Sequence, residues 1–272
     1  MNQIKISVIV PTYCPGEYLK DCIASLNKQD LDPSEYEIII VLNGSKYPYW
    51  DNIKQLIGDD KRYDLLYSAE AGVSNARNKG IDAARGEFLT FMDDDDIVSP
   101  QYLSGMMEIS DTKSIGVSMV RSFRHDISHW SSNFFICKKM AHIEKYRNAS
   151  FFKNRSFISY VAGKLLHRDI IGNIRFNNRF TNGEDALFMT TITKNVKNIC
   201  FTNYDSCYYV RERIGSASRR KLSKFKLLRD SLGLIHEYIS IYCRNPFRYS
   251  LPLFLSRIPG VMKNAYVLAK NK

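Results

Sequence analysis

The 272-residue sequence lacks several features that would place it in a common class of protein. No uninterrupted apolar run approaches the roughly 18 to 20 residues that a membrane-spanning helix needs. The first residues contain neither a long apolar region nor a small-residue cleavage site, which predicts a cytoplasmic protein without a signal peptide. The six cysteines form no C-x-x-C pair and the five histidines do not cluster, so no zinc site is predicted. We expect free, buried thiols in a reducing compartment.

Positive charge is concentrated at one end of the chain. The formal net charge is +11, and residues 211–272 alone contain 14 Lys and Arg against three acids. The remaining residues contain equal numbers of acids and bases. The sequence therefore predicts a neutral domain with a basic C-terminal tail, and whatever the positive charge attracts should bind that tail.

Strand and helix patterns alternate four times within about 110 residues. Apolar runs at 4–10 and 38–42 are typical of strands buried on both faces, and "YDLLYS" and residues 88–92 predict two more strands. We expect Gly86 to end the third helix, and Ser99 with Pro100 to begin the fourth. The alternation predicts an α/β fold with a mostly parallel sheet flanked by helices.

The pattern weakens after residue 110. "IGVSMVRSF" predicts a strand, "KLLHRDII" a short strand entering a helix, and "GEDALFMTTITK" an amphipathic helix. "NICFTN" and "SCYYVRER" are interpreted as a strand pair. A basic amphipathic helix over 221–244 carries apolar residues on one side, namely Phe225, Leu228, Leu232, Ile235, Ile239 and Tyr242.

Polar groups follow three of the predicted strands: "PTY" at 11–13, Asn43, and the aspartates at 93–96. Ligands bind outside the carboxyl ends of such strands, so these groups should meet at one edge. Neighbouring carboxylates repel by roughly 1 kcal/mol in water and about 4 kcal/mol at an effective dielectric constant of 20, which calls for a cation. Mg²⁺ or Mn²⁺ fits, because it takes one or two carboxylates and completes its coordination with water and phosphate oxygens. A solvated acidic loop is the alternative.

Four motifs resemble those of a known family. "SVIVPTY", "IIIVLNGS", "GVSNARNKGIDAARGEFLTFMDDDD" and "GED" are similar, in that order, to motifs of family 2 glycosyltransferases with the GT-A fold, especially bacterial enzymes that build surface polysaccharides such as capsule. The resemblance covers about 4–218 and implies a Rossmann-like sheet, with a nucleotide-sugar half to about residue 110 and an acceptor half over 111–218. Residues 219–272 are then a helical basic extension. The implied reaction is inverting transfer of a hexosyl or N-acetylhexosaminyl group from a nucleotide sugar, usually a uridine diphosphate (UDP) sugar.

The resemblance also implies roles for individual residues. Asp95 is expected to bind Mn²⁺ or Mg²⁺ directly together with Asp93, while Asp93 or Asp94 reaches the ribose. Asp96 either supports the next turn or shares these functions. The other expected contacts to the nucleotide sugar are Pro11, Thr12, Tyr13, Asn43, Arg77, Arg211 and Ser216, with Arg213 as a further candidate. Alternatively, the Tyr13 ring only packs against the protein and Arg77 forms a surface salt bridge. Arg211 and Arg213 would then merely begin the basic tail.

Catalysis needs a carboxylate that takes a proton from the acceptor hydroxyl. By resemblance Asp185 is this general base, and Glu184 beside it binds the acceptor. The alternative is that both acids only cap a helix, since helix N-termini favour carboxylates.

The expected partners are a nucleotide-sugar donor and a glycan or lipid-linked acceptor, with no nucleic acid because no reader motif accompanies the charge. The basic amphipathic tail suits peripheral contact with the inner face of the cytoplasmic membrane. Packing on the catalytic domain and a homodimer through the C-terminal helices are the alternatives. Two rival functions remain. One is a nucleotidyltransferase, which would have a basic residue in its first loop, whereas the loop "PTYCPGE" has none. The other is a catalytically silent membrane-associated scaffold of the same fold.

Overall fold

The computed structural model describes residues 3–131, 135–213 and 223–270. Its strands are Ile6–Thr12 (β1), Tyr36–Asn43 (β2), Tyr63–Ser68 (β3), Phe88–Phe91 (β4), Ile97–Val98 (β5), Ser114–Val117 (β6), Met119–Phe123 (β7), Lys164–His167 (β8), Asn198–Phe201 (β9) and Cys207–Arg211 (β10). Its α-helices are Tyr18–Asn27 (α1), Tyr49–Ile57 (α2), Val73–Ala83 (α3), Tyr102–Ile109 (α4), Phe135–Met140 (α5), Phe151–Asn154 (α6), Arg168–Ile171 (α7), Glu184–Ile192 (α8), Lys224–Arg244 (α9) and Leu251–Lys270 (α10).

The central sheet has seven strands in the order β3-β2-β1-β4-β8-β6-β9. Every neighbouring pair is parallel except those of β8, which is antiparallel to β4 and to β6. All residues of β1 and β2 are buried, because helices cover both faces of the sheet. The predicted α/β fold with a mostly parallel sheet is therefore confirmed, and the carboxyl ends of β1, β2 and β4 lie at one edge.

A second sheet has three strands in the order β5-β10-β7. The predicted strand "IGVSMVRSF" is divided at Ser118 into β6, in the large sheet, and β7, in the small one. The predicted pairing of "NICFTN" with "SCYYVRER" is wrong, since β9 pairs with β6 while β10 pairs with β5 and β7. Both segments are strands, but neither finds its partner nearby in sequence.

Two predicted helix boundaries are also wrong. Helix α3 ends at Ala83, and Gly86 instead lies so close to β1 that a Cβ would be 2.5 Å from the Ser7 nitrogen. Helix α4 begins at Tyr102, after Gln101. The Ser99 hydroxyl does not cap it, because it donates to the Asp205 carbonyl at 2.6 Å and accepts from the Cys207 N–H at 2.9 Å.

Helices α9 and α10 form a hairpin that packs on the domain built around the central sheet. Their inner faces join a small apolar cluster that includes Phe180, Leu187, Leu234, Tyr238 and Phe254. Helix α10 continues through Pro259, so the proline does not divide the segment. Among the described residues, no helix is both long and apolar enough to cross a membrane. The predicted helical character of the extension is confirmed, whereas its predicted boundary after residue 218 lies outside the described residues.

The hairpin leaves a second apolar face exposed. Four residues of the predicted apolar side of α9 are at least half exposed, namely Phe225, Leu228, Leu232 and Ile239. The face that packs inward is the opposite one, with Leu227, Leu234 and Tyr238. The cysteine prediction is partly wrong, because all six thiols are free but Cys14 and Cys243 are exposed.

Candidate active site

The four aspartates form a loop directly after β4, and each contacts a different partner. Asp93 accepts from Arg77 at 3.2 Å, and Asp94 accepts a hydrogen bond from the Thr12 hydroxyl. Asp95 forms an ion pair with the Arg213 Nε at 2.5 Å. Burial, followed by the charges of its neighbours, raises the pKa of Asp94 to about 6 and also raises the pKa of Asp95. Burial and the mutual repulsion of the carboxylates thus both disfavour the charged form of Asp94 and of Asp95.

Asp96 differs from the other three because it is buried and bonded to β10. Its carboxylate accepts from the Tyr208 hydroxyl at 2.7 Å and from the Arg211 N–H at 2.8 Å. The same hydroxyl accepts from the Asp93 N–H at 3.0 Å, so Tyr208 ties both ends of the loop together. Burial and the nearby acids raise the pKa of Asp96 well above its usual range. These contacts agree with the expectation that Asp96 supports the turn.

Arg77 connects this loop to the second predicted acidic site. It projects from α3, is almost fully buried, and donates to Asp93 and, at 2.5 Å, to the Asp185 carboxylate. A surface salt bridge is therefore wrong for Arg77, since its side chain lies inside the site. Carboxylates 92 residues apart in the chain thus share one guanidinium.

Glu184 and Asp185 begin helix α8. The second oxygen of Asp185 accepts from the Val161 N–H at 3.2 Å, while one oxygen of buried Glu184 has no hydrogen-bond partner among the described residues. Burial and the charge of Asp185 raise the pKa of Glu184 to about 7, and burial also raises the pKa of Asp185. Gly183 precedes them at φ +86°, where a Cβ would be 2.9 Å from Leu234 of α9. The C-terminal hairpin thus packs directly behind these two acids.

The residues predicted to hold the base and ribose lie at the ends of β1 and β2. Pro11 and Thr12 are buried in β1, whereas the Tyr13 ring is 56% exposed. The ring packs over Gly44, whose φ of +85° and missing side chain make room for it. Buried Asn43 donates to the Thr12 carbonyl at 2.7 Å and accepts from the Gly72 N–H at 2.9 Å. Asn43 thus fixes the shape of this edge, and a direct contact to the base stays a prediction.

The predicted late arginines occupy two different places. The Arg211 guanidinium is buried behind the aspartate loop, where it donates to the Asp95 carbonyl at 2.8 Å and to Asp21 at 2.7 Å. Arg213, the less favoured of the two, is the one that reaches a loop carboxylate. Ser216 lies outside the described residues.

Sequence reasoning missed two residues that shape the site. Lys164 on β8 is fully buried, donates to the Ala162 carbonyl at 2.8 Å and lies 3.6 Å from the centre of the Tyr160 ring. Burial lowers its pKa well below the usual range, and the Asp185 charge opposes this shift. Asn78 on α3 donates to the Phe176 carbonyl and accepts from the Phe176 N–H, which joins the two halves of the domain. An asparagine directly between Arg77 and Lys79 on a helix gives no local signal of such a contact.

The loop chemistry fits part of a divalent metal site. Among the described residues, no group of three or more His, Cys, Asp or Glu side chains is arranged to hold a metal ion. Asp93 and Asp95 nevertheless offer two hard carboxylates, and burial followed by the charge of Asp93 raises the pKa of Asp95. Two carboxylates suit Mg²⁺ or Mn²⁺, which takes its other ligands from water and substrate phosphates.

The chain is similar to several known proteins in sequence or in fold. Glycosyltransferase GlyG of Streptococcus pneumoniae is 28% identical over 226 residues, which cover 79% of this chain and 73% of GlyG. The GalNAc(5)-diNAcBac-PP-undecaprenol beta-1,3-glucosyltransferase of Campylobacter jejuni is 37% identical over 106 residues, which are 38% of this chain and 34% of that enzyme. The crystal structure of Staphylococcus aureus TarS 1-349 with UDP-GlcNAc superposes with a TM-score of 0.68 at 20% identity, covering 87% of this chain and 67% of TarS 1-349.

A family-level match covers more than half of the chain. The family described as Glycosyl transferase family 2 matches residues 7–175, a range that contains β1 except its first residue, β2 to β8, Arg77 and the aspartate loop. The likeness to TarS shows the fold. The chain therefore belongs to glycosyl transferase family 2 and has the GT-A fold.

Proposed function

We propose that this family 2 glycosyltransferase moves a sugar from a nucleotide sugar, of the UDP class, to a hydroxyl of a glycan or lipid-linked acceptor, with inversion at the anomeric carbon. The product would be part of a bacterial surface polysaccharide. The bound UDP-GlcNAc of the TarS structure and the undecaprenol-linked name of the Campylobacter relative support this choice of donor and acceptor. The observation that carries the proposal is the Arg77 bridge, which brings the loop carboxylate Asp93 and the α8 carboxylate Asp185 to one guanidinium.

The proposed reaction is a single in-line displacement. The acceptor oxygen forms a bond to the anomeric carbon while its proton passes to the Asp185 carboxylate. The bond from that carbon to the diphosphate oxygen breaks, and the electron pair leaves with the nucleoside diphosphate. Burial raises the pKa of Asp185, which makes it a stronger base. The Val161 N–H and Arg77 fix the orientation of this carboxylate.

Donor binding is assigned to the edge formed by β1, β2 and β4. The exposed ring of Tyr13 offers a face for the base, and Arg213 lies close enough to Asp95 to reach a diphosphate held there. Mg²⁺ or Mn²⁺ held by Asp93 and Asp95 would offset the charge that develops on the departing diphosphate. Glu184, one oxygen of which has no hydrogen-bond partner in the described part of the chain, is assigned to the acceptor hydroxyl.

Replacement of the base tests this proposal. We expect Asp185→Asn to lower the transfer rate by about 10²–10⁴-fold, because the amide cannot take the proton. Donor binding should survive, measured as metal-dependent thermal stabilisation by a panel of nucleotide sugars, where a ligand at 100 times its dissociation constant adds roughly 2.7 kcal/mol. Asp64→Asn, the same change at an exposed position of β3, is the matched control and should leave both measurements unaltered.

Three outcomes would contradict parts of the proposal. Near-normal turnover by Asp185→Asn would remove Asp185 as the base. Stabilisation by other nucleotide sugars but by no UDP sugar would overturn the donor class. Donor binding without transfer or donor hydrolysis in the unmodified protein, with Mn²⁺ present, would favour the silent scaffold.

We also propose that the C-terminal hairpin makes peripheral contact with the inner face of the cytoplasmic membrane. Supporting this are the exposed apolar face of α9 and the predominance of Lys and Arg over acids in the extension, residues 219–272. Each Lys or Arg near an anionic surface contributes on the order of 1 kcal/mol. A homodimer through the same face is the competing outcome, and sedimentation of the protein without lipid would reveal it.

A further inference from the structure

A cavity of about 400 Å³ lies at the opposite edge of the sheet from the aspartate loop. Lys113 precedes β6 and Lys197 precedes β9, and these two strands run parallel to β1. Their lysines are therefore at the amino edge of the sheet, whereas the aspartates follow the carboxyl end of β4. The cavity belongs neither to the proposed donor site nor to the acceptor site.

The lining of this cavity is strongly basic. Four cations, Lys113, Lys194, Lys197 and Arg248, face a single acid, Asp169. None of the four forms an ion pair with an acid anywhere in the described ranges 3–131, 135–213 and 223–270. Asp169 itself lies 3.6 Å from the His167 ring and is mostly exposed. Like charges gathered around one cavity favour an anion there.

The backbone that carries these cations is well fixed. The Lys197 N–H donates to the Lys113 carbonyl at 2.7 Å, and β6 and β9 pair directly beyond it. Arg248 comes from the connection between α9 and α10, which is attached to the catalytic domain where the Tyr249 hydroxyl donates to the Thr191 carbonyl at 3.2 Å. The cavity is therefore an open depression lined jointly by the domain and by the C-terminal hairpin.

The surroundings of Arg248 indicate which anion fits. Phe247 is fully exposed and Leu251 is nearly half exposed, so apolar side chains stand on both sides of this cation. Lysine and arginine are the usual ligands of phosphate groups, and arginine can bind two phosphate oxygens at once. Cations beside exposed apolar residues match the boundary between lipid headgroups and acyl chains.

We propose that this basic cavity binds the phosphate of an anionic phospholipid headgroup at the membrane surface. The inference rests on the membrane contact proposed above and adds a specific headgroup site to it. It is independent of the donor chemistry, which is tested separately by transfer to a water-soluble acceptor.

Flotation with vesicles tests the site. We compare the full chain with the triple variant Lys194→Gln, Lys197→Gln, Arg248→Gln on phosphatidylglycerol and on phosphatidylcholine vesicles. With about 1 kcal/mol for each cation near the surface, the triple variant should bind phosphatidylglycerol about 100-fold more weakly. The matched control replaces three exposed lysines elsewhere, Lys28→Gln, Lys79→Gln and Lys153→Gln, and should lose only a few-fold. The single variant Lys197→Gln, at an exposed position, should bind phosphatidylglycerol vesicles about 5-fold more weakly. It tests the site if the triple variant does not fold.

The outcomes separate the two proposals. If the cavity variants bind phosphatidylglycerol as well as the control, the headgroup site is wrong while the membrane contact stands. If the unmodified chain binds no anionic vesicle, both are wrong. If inorganic phosphate stabilises the chain through these three residues but vesicles do not bind, the ligand is a soluble anion and the lipid assignment is overturned.

Discussion

The two edges of the central sheet treat charge in opposite ways. At the carboxyl edge, Asp93, Asp95 and Asp185 each have an arginine of the same chain within 3.2 Å. At the amino edge, the cations around the basic cavity have no acid partner among the described residues. Both edges gather one sign of charge, but only the first supplies its own counter-charge.

A ligand at the carboxyl edge must therefore replace existing ion pairs, whereas a ligand at the amino edge need not. A metal or diphosphate that enters the carboxyl edge competes with Arg77 and Arg213 for the same carboxylates. An anion that enters the amino edge displaces only water. Substitutions that break the ion pairs of the carboxyl edge should therefore lower the stability of the fold strongly. Substitutions of the cations at the amino edge should mainly weaken binding.

The largest expected effect comes from removing the shared counter-charge. Arg77→Met should lower the free energy of unfolding by about 3–5 kcal/mol, because it leaves buried carboxylates without their cation. Denaturant unfolding measures the change, and the control Arg175→Met, whose exposed partner is Asp82, should cost less than about 1 kcal/mol. Adding Asp185→Asn to Arg77→Met should restore part of the loss. Equal costs for the two arginine variants would erase the contrast between the edges.

A pH dependence of stability is the next effect. The pKa of Glu184 is raised to about 7 in the fold, so the folded protein binds this proton more tightly than the unfolded chain does. This contribution, at most about 3 kcal/mol, is present below about pH 4.5 and is lost as the pH rises through 7. The free energy of unfolding of the unmodified protein, minus that of Glu184→Gln, should therefore decrease as the pH rises over this range. Parallel pH profiles for the two proteins would contradict the assignment.

The smallest effect concerns a buried arginine that has no acid partner among the described residues and lies outside both proposed binding sites. Arg257 of α10 is buried and donates to the Thr190 and Ser159 hydroxyls and to two main-chain carbonyls. Its replacement in Arg257→Met should cost about 2 kcal/mol, because buried acceptors lose their donor. Thermal unfolding measures this, with exposed Arg244→Met as the control. A neutral result would mean that these acceptors find other donors.

The first half of the fold was accessible from sequence because its signals are local. A strand buried on both faces appears as one apolar run, and β1 to β4 were predicted to within a few residues. The position of the aspartates after β4 follows from the same runs. The second half depends on contacts between distant segments, such as the pairing of β10 with β7, and the chain order does not indicate these partners.

The candidate site was predictable as a set of residues but not as a set of contacts. Arg77 is one of the residues that the resemblance implies, yet its contacts to Asp93 and Asp185 depend on how α3 and α8 pack. Arg257 illustrates the reverse case. In the sequence it only interrupts an apolar segment, but in the structure it is a buried donor that attaches the hairpin, because four oxygens from another part of the chain surround it.

The division at Ser118 limits how this enzyme can move. Both the N–H and the hydroxyl of Ser118 donate to the Gly163 carbonyl, so the point where the chain leaves one sheet for the other is itself anchored. The small sheet holds the aspartate loop through Tyr208, and the large sheet carries β4, from which the loop emerges. Neither sheet can slide past the other without breaking these contacts. Ser118 and Tyr208 thus couple the two sheets, and we expect any opening or closing around substrates to occur in segments outside them.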